Sequence, residues 1–250
     1  MTRIAVLADI HGNLPALEAV LSEVRRAKPD AVVIGGDVLP GPMPRETIDC
    51  LRSLDIPAHY LRGNADRFTV EARRGVTLTE VPEAFHDVIR WNAQQLTDDD
   101  ERWIATWPKT LLLEIDGLGP VFFCHASPRN DMDIFTRLTP EENVAPLFAN
   151  LRERIVICGH THMQYDRMIG NTRVVNAGSV GMSFQGPGAF WLLLGPKVEL
   201  RRTEYDLEHA AGRIRSCGYL QADVFAEKNV LHPPTEEQML AAYANVPLNV

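Results

Sequence analysis

Two histidines, His160 and His162, lie on either side of Thr161 and directly follow a short apolar stretch at 155–158. A β-branched stretch of this kind predicts a buried strand. A histidine at the end of a buried strand needs a polar partner, and a pair of them needs two. The pair is therefore either two hydrogen-bonded structural residues or two ligands, and the other polar residues of the chain help to decide between these interpretations.

Polar residues follow four other short apolar stretches in the same way: Asp9 and His11, Asp37, Asn64 and His125. In an open α/β sheet, the carboxyl ends of the strands meet at the edge where ligands bind. Two carboxylates, one amide and four imidazoles supply oxygen and nitrogen ligands, which suit Mn²⁺, Fe²⁺, Zn²⁺ or Ni²⁺. Seven such groups exceed what one ion needs, so the set predicts two ions that share a carboxylate.

Each of these residues also has an ordinary structural explanation when it is considered alone. An Asp-x-His spacing is common by chance, His125 could be a hydrogen-bonded core histidine, and Asn64 could be a turn residue. Their shared position after an apolar stretch favours a single site, because a purely structural explanation requires five unrelated coincidences.

The first third of the chain alternates predicted strands and helices. Strands are predicted at 4–8, 31–34 and 58–61, with helices at 14–27 and 45–54 between them. This order is typical of a parallel sheet covered by helices. It places the polar groups that follow the strands at one edge of that sheet.

Asn13 immediately precedes the first predicted helix, and Pro15 suits the first turn of that helix. The sequence therefore predicts Asn13 as a helix cap. Because a helix N-terminus attracts anions, Asn13 is also predicted either to support the site from behind or to contact the substrate.

The rest of the chain is predicted to complete one domain spanning 1–250. Thr139 is predicted to cap a helix, and Asp206 and Thr235 are predicted to cap helices in the C-terminal part. The other predicted parts are a helical insertion at 67–108, strands at 110–115, 121–124 and 155–158, a β meander from 166 to 205, and a helical extension at 206–250.

Composition excludes several other classes of protein. The net charge is −8, and basic residues are scattered, which argues against binding to a long nucleic acid. None of the four cysteines has metal-site or disulfide-framework spacing, and Cys124 and Cys158 are predicted as small buried strand residues. With no apolar run of membrane-spanning length and no signal peptide, the expected location is the cytoplasm.

The strand-end motifs, in this order, resemble those of the metallophosphoesterase superfamily, also called calcineurin-like phosphoesterases. They are Asp9-x-His11, Gly36-Asp37, Gly63-Asn64, His125 and Gly159-His160-x-His162. The segment 176–181 is similar to the Asn-Pro-Gly-Ser segment of the compact bacterial and archaeal phosphodiesterase branch. The motifs span 3–181, and the strand pattern extends the resemblance to about 205. The resemblance implies a four-layer α/β/β/α sandwich of two mixed sheets with a di-metal centre.

The resemblance also implies a role for each ligand. Asp9, His11 and His162 would bind the first of two divalent ions (Mn, Fe, Ni or Zn). The second ion would be bound by Asn64, His125 and His160, and Asp37 would bridge the two ions. A hydroxide between the ions would attack a phosphodiester or phosphoanhydride of a small phosphorylated or nucleotide-like substrate.

Three alternatives remain open within this resemblance. They are a dinucleoside polyphosphate hydrolase, a protein phosphatase, and a non-catalytic scaffold similar to the retromer subunit of this fold. The scaffold predicts lost ligands, whereas all seven are present. A homo-oligomer is compatible with the same features.

The motif that contains Gly63 and Asn64 departs from the superfamily pattern. A histidine commonly follows the Gly-Asn pair, with an acid behind it, but this chain has Ala65 and then Asp66. The usual histidine would contact the leaving group, so poor leaving groups are expected to react slowly. Asn64, Asp66 and Asn13 are predicted to take part in catalysis. Asp66 is expected to pair with Arg62, to hold Asn64, or to be an exposed turn acid.

Overall fold

The computed structural model describes residues 2–248, which contain two five-stranded sheets. In spatial order, the first sheet consists of β10 (Val198–Thr203), β9 (Ala189–Leu194), β1 (Ile4–Leu7), β2 (Ala31–Ile34) and β3 (Ala58–Tyr60). The second sheet consists of β4 (Thr110–Ile115), β5 (Gly119–Cys124), β6 (Ile155–Cys158), β8 (Thr172–Asn176) and β7 (Tyr165–Ile169). Both sheets are mixed: β1–β2 and β2–β3 are parallel in the first sheet, and β5–β6 and β6–β8 are parallel in the second.

Helices flank the two sheets. Those that follow the first strands are α1 (Leu14–Ala27), α2 (Pro44–Arg52), α3 (Asn64–Arg73), α4 (His86–Gln95) and α5 (Asp98–Ala105), with a 3₁₀ turn at Glu83–Phe85. Later in the chain come α6 (Glu141–Phe148), α7 (Leu207–Arg215), α8 (Ala222–Phe225), a π-helical turn at Ala226–Leu231 and α9 (Glu236–Tyr243). No helix within 2–248 is both long and apolar enough to cross a membrane.

Strand β1 shows how four layers arise. Leu7 points toward α1, where it packs against Leu17, and its neighbour Val6 points toward the second sheet, where it packs with Phe123. Alternate residues of a strand face opposite sides, so one fully apolar strand serves two cores. Val144 of α6 lies in a third core on the far face of the second sheet. The predicted four-layer α/β/β/α sandwich is confirmed.

Backbone hydrogen bonds join the loops that leave the carboxyl ends of the strands. The Asp9 N–H donates to the Gly36 carbonyl (3.0 Å), and the Gly159 N–H donates to the His125 carbonyl (2.8 Å). The Val180 N–H donates to the Ala8 carbonyl (2.9 Å), which ties the two sheets together at this edge. The polar groups that follow five different strands are therefore held on one rim.

Three local predictions need correction. Helix α6 begins at Glu141 after Pro140, and Thr139 does not cap it. Instead, Thr139 Oγ1 accepts from the Thr136 N–H (2.9 Å) and closes the preceding turn. The last four strands form two hairpins in different sheets rather than one meander. The helices of the insertion begin at Asn64, three residues before the predicted boundary.

Other helix boundaries follow the predicted caps. Asn13, Asp206 and Thr235 each accept a hydrogen bond from a backbone N–H in the first turn of their helix. The insertion has a small core of its own, in which Phe68 packs with Leu78 and Ile89.

Candidate metal centre

The rim residues have an unusual backbone conformation. Of the six non-glycine residues with positive φ within 2–248, five belong to the predicted ligand set: Asp9 (54°), His11 (45°), Asp37 (51°), His160 (69°) and His162 (57°). Each such residue costs about 1–3 kcal/mol, and strain of this kind concentrates at functional sites. The left-handed turns direct the side chains toward one another across the rim.

The first cluster consists of Asp9, His11 and His162, and all three residues are buried. Their candidate ligand atoms lie within 4.8 Å of one another. His162 Nε2 is 3.2 Å from His11 Nε2 and 3.2 Å from Asp9 Oδ1. This is the size of a space that one metal ion fills.

Backbone carbonyls fix the tautomers of the histidines. Nδ1 of His11 lies 3.2 Å from the Pro40 carbonyl, and Nδ1 of His162 lies 2.6 Å from the Met182 carbonyl. A carbonyl can only accept, so each Nδ1 carries the hydrogen and each Nε2 presents a lone pair. Burial and the neighbouring His162 lower the pKa of His11, which disfavours a proton between the two rings. A metal cation resolves the repulsion between these lone pairs.

The second cluster consists of Asp37, His125 and His160. His125 Nδ1 lies 2.9 Å from the Gly35 carbonyl, so its Nε2 also faces the site. That Nε2 is 3.1 Å from Asn64 Oδ1, which places the amide beside this cluster. Burial is the largest cause that lowers the pKa of His160, to about 4, so the His160 ring is neutral and able to bind a metal.

Asp37 lies between the two clusters. Its Oδ2 is 3.3 Å from His125 Nε2 and 3.8 Å from His11 Nε2, while its Oδ1 accepts from the Ala65 N–H (2.8 Å). Burial opposes its charge, but His125, His11 and His160 together outweigh burial and hold the pKa of this carboxyl below its ordinary value. One oxygen of Asp37 thus faces both clusters, which is the position that a bridging ligand requires.

The polar atoms on the rim fit two divalent ions. Asp9 Oδ1 and His160 Nε2 are buried and have no hydrogen bond within 2–248, although an unsatisfied buried group costs about 1–3 kcal/mol. The donor atoms are oxygen and nitrogen. Burial raises the pKa of Cys124 and also that of Cys158, the latter to about 12, and neither thiol belongs to the two clusters. This donor set suits Mn²⁺, Fe²⁺, Zn²⁺ or Ni²⁺.

Asp66 lies beneath the site rather than in it. Its side chain is fully buried, and its two oxygens accept from the backbone N–H groups of Asp37 (2.8 Å), Leu39 (3.0 Å) and Gly63 (3.0 Å). The expectations that Asp66 pairs with Arg62 or is an exposed turn acid are therefore wrong, and its hydrogen bonds go to these three backbone groups rather than to Asn64. Asp66 positions the Asp37 loop, and both of its oxygens are already engaged there.

Asn13 is also a positioning residue in this structure. Its Oδ1 accepts from the Ala16 N–H (3.3 Å), and its Nδ2 donates to the Gly181 carbonyl (2.8 Å). The side chain is fully buried, so the alternative in which Asn13 contacts the substrate does not agree with its position. The next carbonyl along the chain, that of Met182, is the one that orients His162.

Two glycines of the motifs are required by close approach. A Cβ on Gly63 would lie 2.1 Å from Asp37 Oδ1, and a Cβ on Gly159 would lie 2.5 Å from Asp9 Oδ2. Any larger residue would displace a carboxylate of the site. Glycine is therefore required in the Gly63-Asn64 and Gly159-His160 pairs, because the carboxylates occupy the space that a Cβ would need.

Sequence reasoning missed several residues that support the rim. Asn176 Nδ2 donates to the Gly159 carbonyl (2.6 Å), and Ser179 Oγ donates to the Asp9 carbonyl (2.7 Å). Their motif at 176–181 was the available signal. The ring of Phe184 stacks on His162, and Tyr243 lies next to Phe184. No sequence signal distinguishes these two aromatic residues from core residues.

Comparisons with known proteins agree with this geometry. The model of the calcineurin-like phosphoesterase superfamily domain matches residues 2–194. An uncharacterized protein from Methanocaldococcus jannaschii is 27% identical over 235 residues, which cover 84% of this chain and 91% of that protein.

Two crystal structures are similar over most of the chain. A hypothetical protein from Pyrococcus horikoshii OT3 superposes with a TM-score of 0.77 at 22% identity, covering 90% of this chain and 98% of that one. A metallophosphoesterase from Sphaerobacter thermophilus superposes with a TM-score of 0.69 at 25% identity, covering 92% of this chain and 99% of that one. The fold is thus shared along nearly the whole length of both proteins. With the family match extending over 2–194 and including the two clusters, this chain belongs to the calcineurin-like phosphoesterase superfamily.

Proposed function

We propose that this protein hydrolyses phosphodiester or phosphoanhydride bonds in small phosphorylated or nucleotide-like substrates. Membership in the superfamily implies a metal-dependent hydrolase that acts on phosphoesters. The observation that carries the proposal is Asp37 Oδ2, which faces the histidines of both clusters. A shared carboxylate holds two ions close enough to act on one phosphoryl group.

Two bound ions would lower the pKa of a water between them and stabilise the charge that develops on the phosphoryl oxygens. The protein's own contribution is to hold the ligands in place. The carbonyls of Pro40 and Met182 fix the histidines of the first cluster, and the Ala65 N–H fixes Asp37. The N-terminus of α3 also lies at the site, where its dipole favours an anionic substrate.

The supply of a proton to the leaving group limits the choice of substrate. Ala65 has only a methyl side chain at the position of the superfamily's usual histidine, and Asp66 is enclosed by backbone N–H groups. General acids contribute about 10²–10⁴-fold, most for poor leaving groups. Aryl diesters and anhydrides, whose leaving groups need little protonation, are therefore the favoured substrates over alkyl monoesters.

Two of the alternative functions are disfavoured by particular residues. Protein phosphatases of the superfamily generally keep the histidine that Ala65 replaces. A non-catalytic scaffold would not need all seven ligand residues, and the rim holds six of them in two compact clusters with Asn64 beside the second. Dinucleoside polyphosphates stay among the candidate substrates because they are phosphoanhydrides.

The test is a panel of phosphoesters assayed after removal of metal and separate reloading with Mn²⁺, Ni²⁺, Mg²⁺ and Zn²⁺. The panel contains an aryl diester, a dinucleoside polyphosphate, an aryl monoester and an alkyl monoester. We expect turnover of the diester or the polyphosphate with at least one metal, and loss of that turnover in the chelated protein. An absence of turnover with every metal, in protein shown to contain two ions, would overturn the proposal.

A further inference from the structure

Phe184 lies directly against the first cluster. Its ring stacks on His162 with 4.6 Å between ring centroids and 28° between ring planes. The Phe184 N–H donates to the His162 carbonyl (3.1 Å), so both the backbone and the ring of Phe184 are held against His162. The side chain is partly exposed, so it presents an apolar surface beside the metal centre.

Tyr243, the last residue of α9, continues this surface. Its ring centroid lies 6.4 Å from that of Phe184, with 53° between the planes. Burial and the negative charge of Asp9 raise the pKa of Tyr243 to about 12, so its hydroxyl stays protonated and can donate a hydrogen bond. Within the described chain, that hydroxyl has no hydrogen-bond partner.

Several contacts hold α9 beside the rim. Thr235 and Gln238 form a capping box at its start, and Glu236 forms an ion pair with Arg137 (2.7 Å). The Gly186 N–H donates to the Pro234 carbonyl (3.2 Å), which joins the Phe184 loop to the residue before the cap. The two rings are therefore positioned before any ligand arrives, which reduces the entropy cost of binding.

A cavity adjoins the same surface. It has a volume of about 570 Å³ and lies between α6 and the chain from α9 onward, with Leu138, Pro146, Leu240 and Tyr243 in its lining. Sites for small molecules commonly enclose about 300–1,000 Å³ and are lined by apolar side chains with a few polar groups. The predicted ligand residues of the two clusters do not line this cavity, whereas Tyr243 both lines it and contacts Phe184 beside the first cluster.

We propose that Phe184 and Tyr243 form an aromatic wall that binds the organic part of the substrate, and that this part is a planar aromatic group such as an aryl ring or a nucleobase. The inference rests on the proposed function, because it names the substrate class of the same site. A planar group would stack against the wall while its phosphoryl group lies at the clusters. The Tyr243 hydroxyl is available to a polar edge of that group. The family model matches residues 2–194, and helix α9 follows that range. Tyr243 would therefore determine specificity from a part of the chain that the family model does not cover.

Equilibrium binding gives a test that does not depend on turnover. Methyl phosphate, phenyl phosphate and adenosine 5′-monophosphate are titrated calorimetrically into the metal-loaded protein, and into the variants Tyr243→Ala, Tyr243→Phe and Phe184→Leu. Phe85→Ala is the matched control, because Phe85 is exposed and lies on the 3₁₀ turn of the insertion. Metal content and Tm are measured for every variant.

We expect Tyr243→Ala to weaken the binding of phenyl phosphate or of the nucleotide about tenfold relative to methyl phosphate, equivalent to about 1.4 kcal/mol. Tyr243→Phe retains the ring and should retain the binding of phenyl phosphate. Phe184→Leu should act in the same direction as Tyr243→Ala. If the nucleotide alone loses affinity, the aromatic group is a nucleobase; if phenyl phosphate also loses affinity, any aryl ring is accepted.

Kinetics separate this inference from the proposed function. The ratio of kcat/KM for a dinucleoside polyphosphate to that for an inorganic polyphosphate with the same number of phosphates, which carries no ring, should fall about tenfold in Tyr243→Ala, through KM. A wild-type enzyme that hydrolyses both substrates, with wall variants that leave this ratio and the binding preference unchanged, would overturn the aromatic wall alone. Preferential binding of aryl phosphates that is lost in the wall variants, without turnover of any ester, would support the wall and overturn the proposed function.

Discussion

The two clusters of the rim use similar residues but are enclosed to different extents. In the first cluster, Asp9, His11 and His162 are 0%, 7% and 4% exposed, and carbonyls of two loops hold the histidine rings. In the second cluster, Asp37 and His125 are buried, whereas His160 and the neighbouring Asn64 are partly exposed. Solvent therefore reaches the rim beside His160 and Asn64.

The supports beneath the clusters also differ. The first cluster depends on the loop at 181–182, which Asn13 holds from the start of α1. The second depends on the start of α3, where Asp66 holds the backbone of Asp37 and Gly63. A change at Asn13 should therefore act on the first cluster alone. A change at Asp66 should also disturb the loop of Asp37, the carboxylate that both clusters share.

The largest effect is expected from Asp37→Asn, which removes the one charge that both clusters share. Loss of a residue that only hydrogen-bonds to a metal ligand costs about 10–100-fold in metal affinity. Loss of the charge of a predicted bridging ligand should therefore cost more than about 100-fold at both sites. Elemental analysis after dialysis, together with turnover of an aryl diester, measures the change. Asp49→Asn, on the exposed side of α2, is the matched control. Two fully retained ions in Asp37→Asn would contradict the bridging role.

A smaller effect, acting through the Asp37 loop and the start of α3, is expected from Asp66→Ala. Three buried N–H groups lose their acceptor at a cost of about 1–3 kcal/mol each, reduced where water can enter. Urea unfolding of the metal-free protein should show a loss of about 3 kcal/mol or more. Asp66→Asn retains an acceptor oxygen and should lose less. An unchanged free energy of unfolding, together with full metal content, would contradict this role of Asp66.

The same position predicts a pH dependence in the metal-free protein. Burial and the charge of Asp37 raise the pKa of Asp66 to about 7 from an ordinary value of 3.8. The folded state then holds this proton more tightly than the unfolded chain does. Its contribution to the free energy of unfolding is complete below about pH 3.8 and is lost as the pH rises through about 7. In Asp66→Asn, this part of the stability profile should disappear.

A still smaller effect, confined to the first cluster, is expected from substitutions of Asn13. Asn13→Ala removes both the helix cap and the hydrogen bond to Gly181, which should cost about 1–2 kcal/mol. Asn13→Asp retains the cap but loses the donor, so it should affect metal binding at His162 more than it affects the start of α1. Denaturation and metal analysis of both variants separate these roles. A changed KM without a change in metal content would instead indicate contact with the substrate.

The smallest effect is expected from Ala65→His. A histidine here would face the leaving group, but Asp66 cannot orient it, because both carboxylate oxygens already accept backbone N–H groups. The rate on poor leaving groups should therefore rise by less than the about 10²–10⁴-fold that a well-placed acid provides. A series of aryl diesters graded by the pKa of the phenol measures the gain. Parallel slopes for wild type and variant would show that protonation comes from elsewhere.

The sequence predicted which residues lie on the rim because its signal is local, and their role as metal ligands stays a prediction. Each ligand residue follows a short apolar strand, and parallel strands end at one edge. The position of Asp66 was not predictable in the same way, since an acid after a turn can face solvent or enter the protein. The hairpins were assigned to one meander because strand periodicity does not show which sheet a strand joins. Phe184 and Tyr243 lie 59 positions apart in the chain, and only packing brings them together.

The left-handed backbone of the five ligand residues has a consequence for the balance between stability and activity. At about 1–3 kcal/mol each, their combined strain is comparable with the whole stability of an ordinary domain, about 5–15 kcal/mol. Glycine adopts this conformation without steric cost, so His160→Gly should make the metal-free fold more resistant to heat while removing a ligand. Selection for stability alone would therefore remove these side chains from the rim. Their presence indicates that the protein is maintained for what the rim binds.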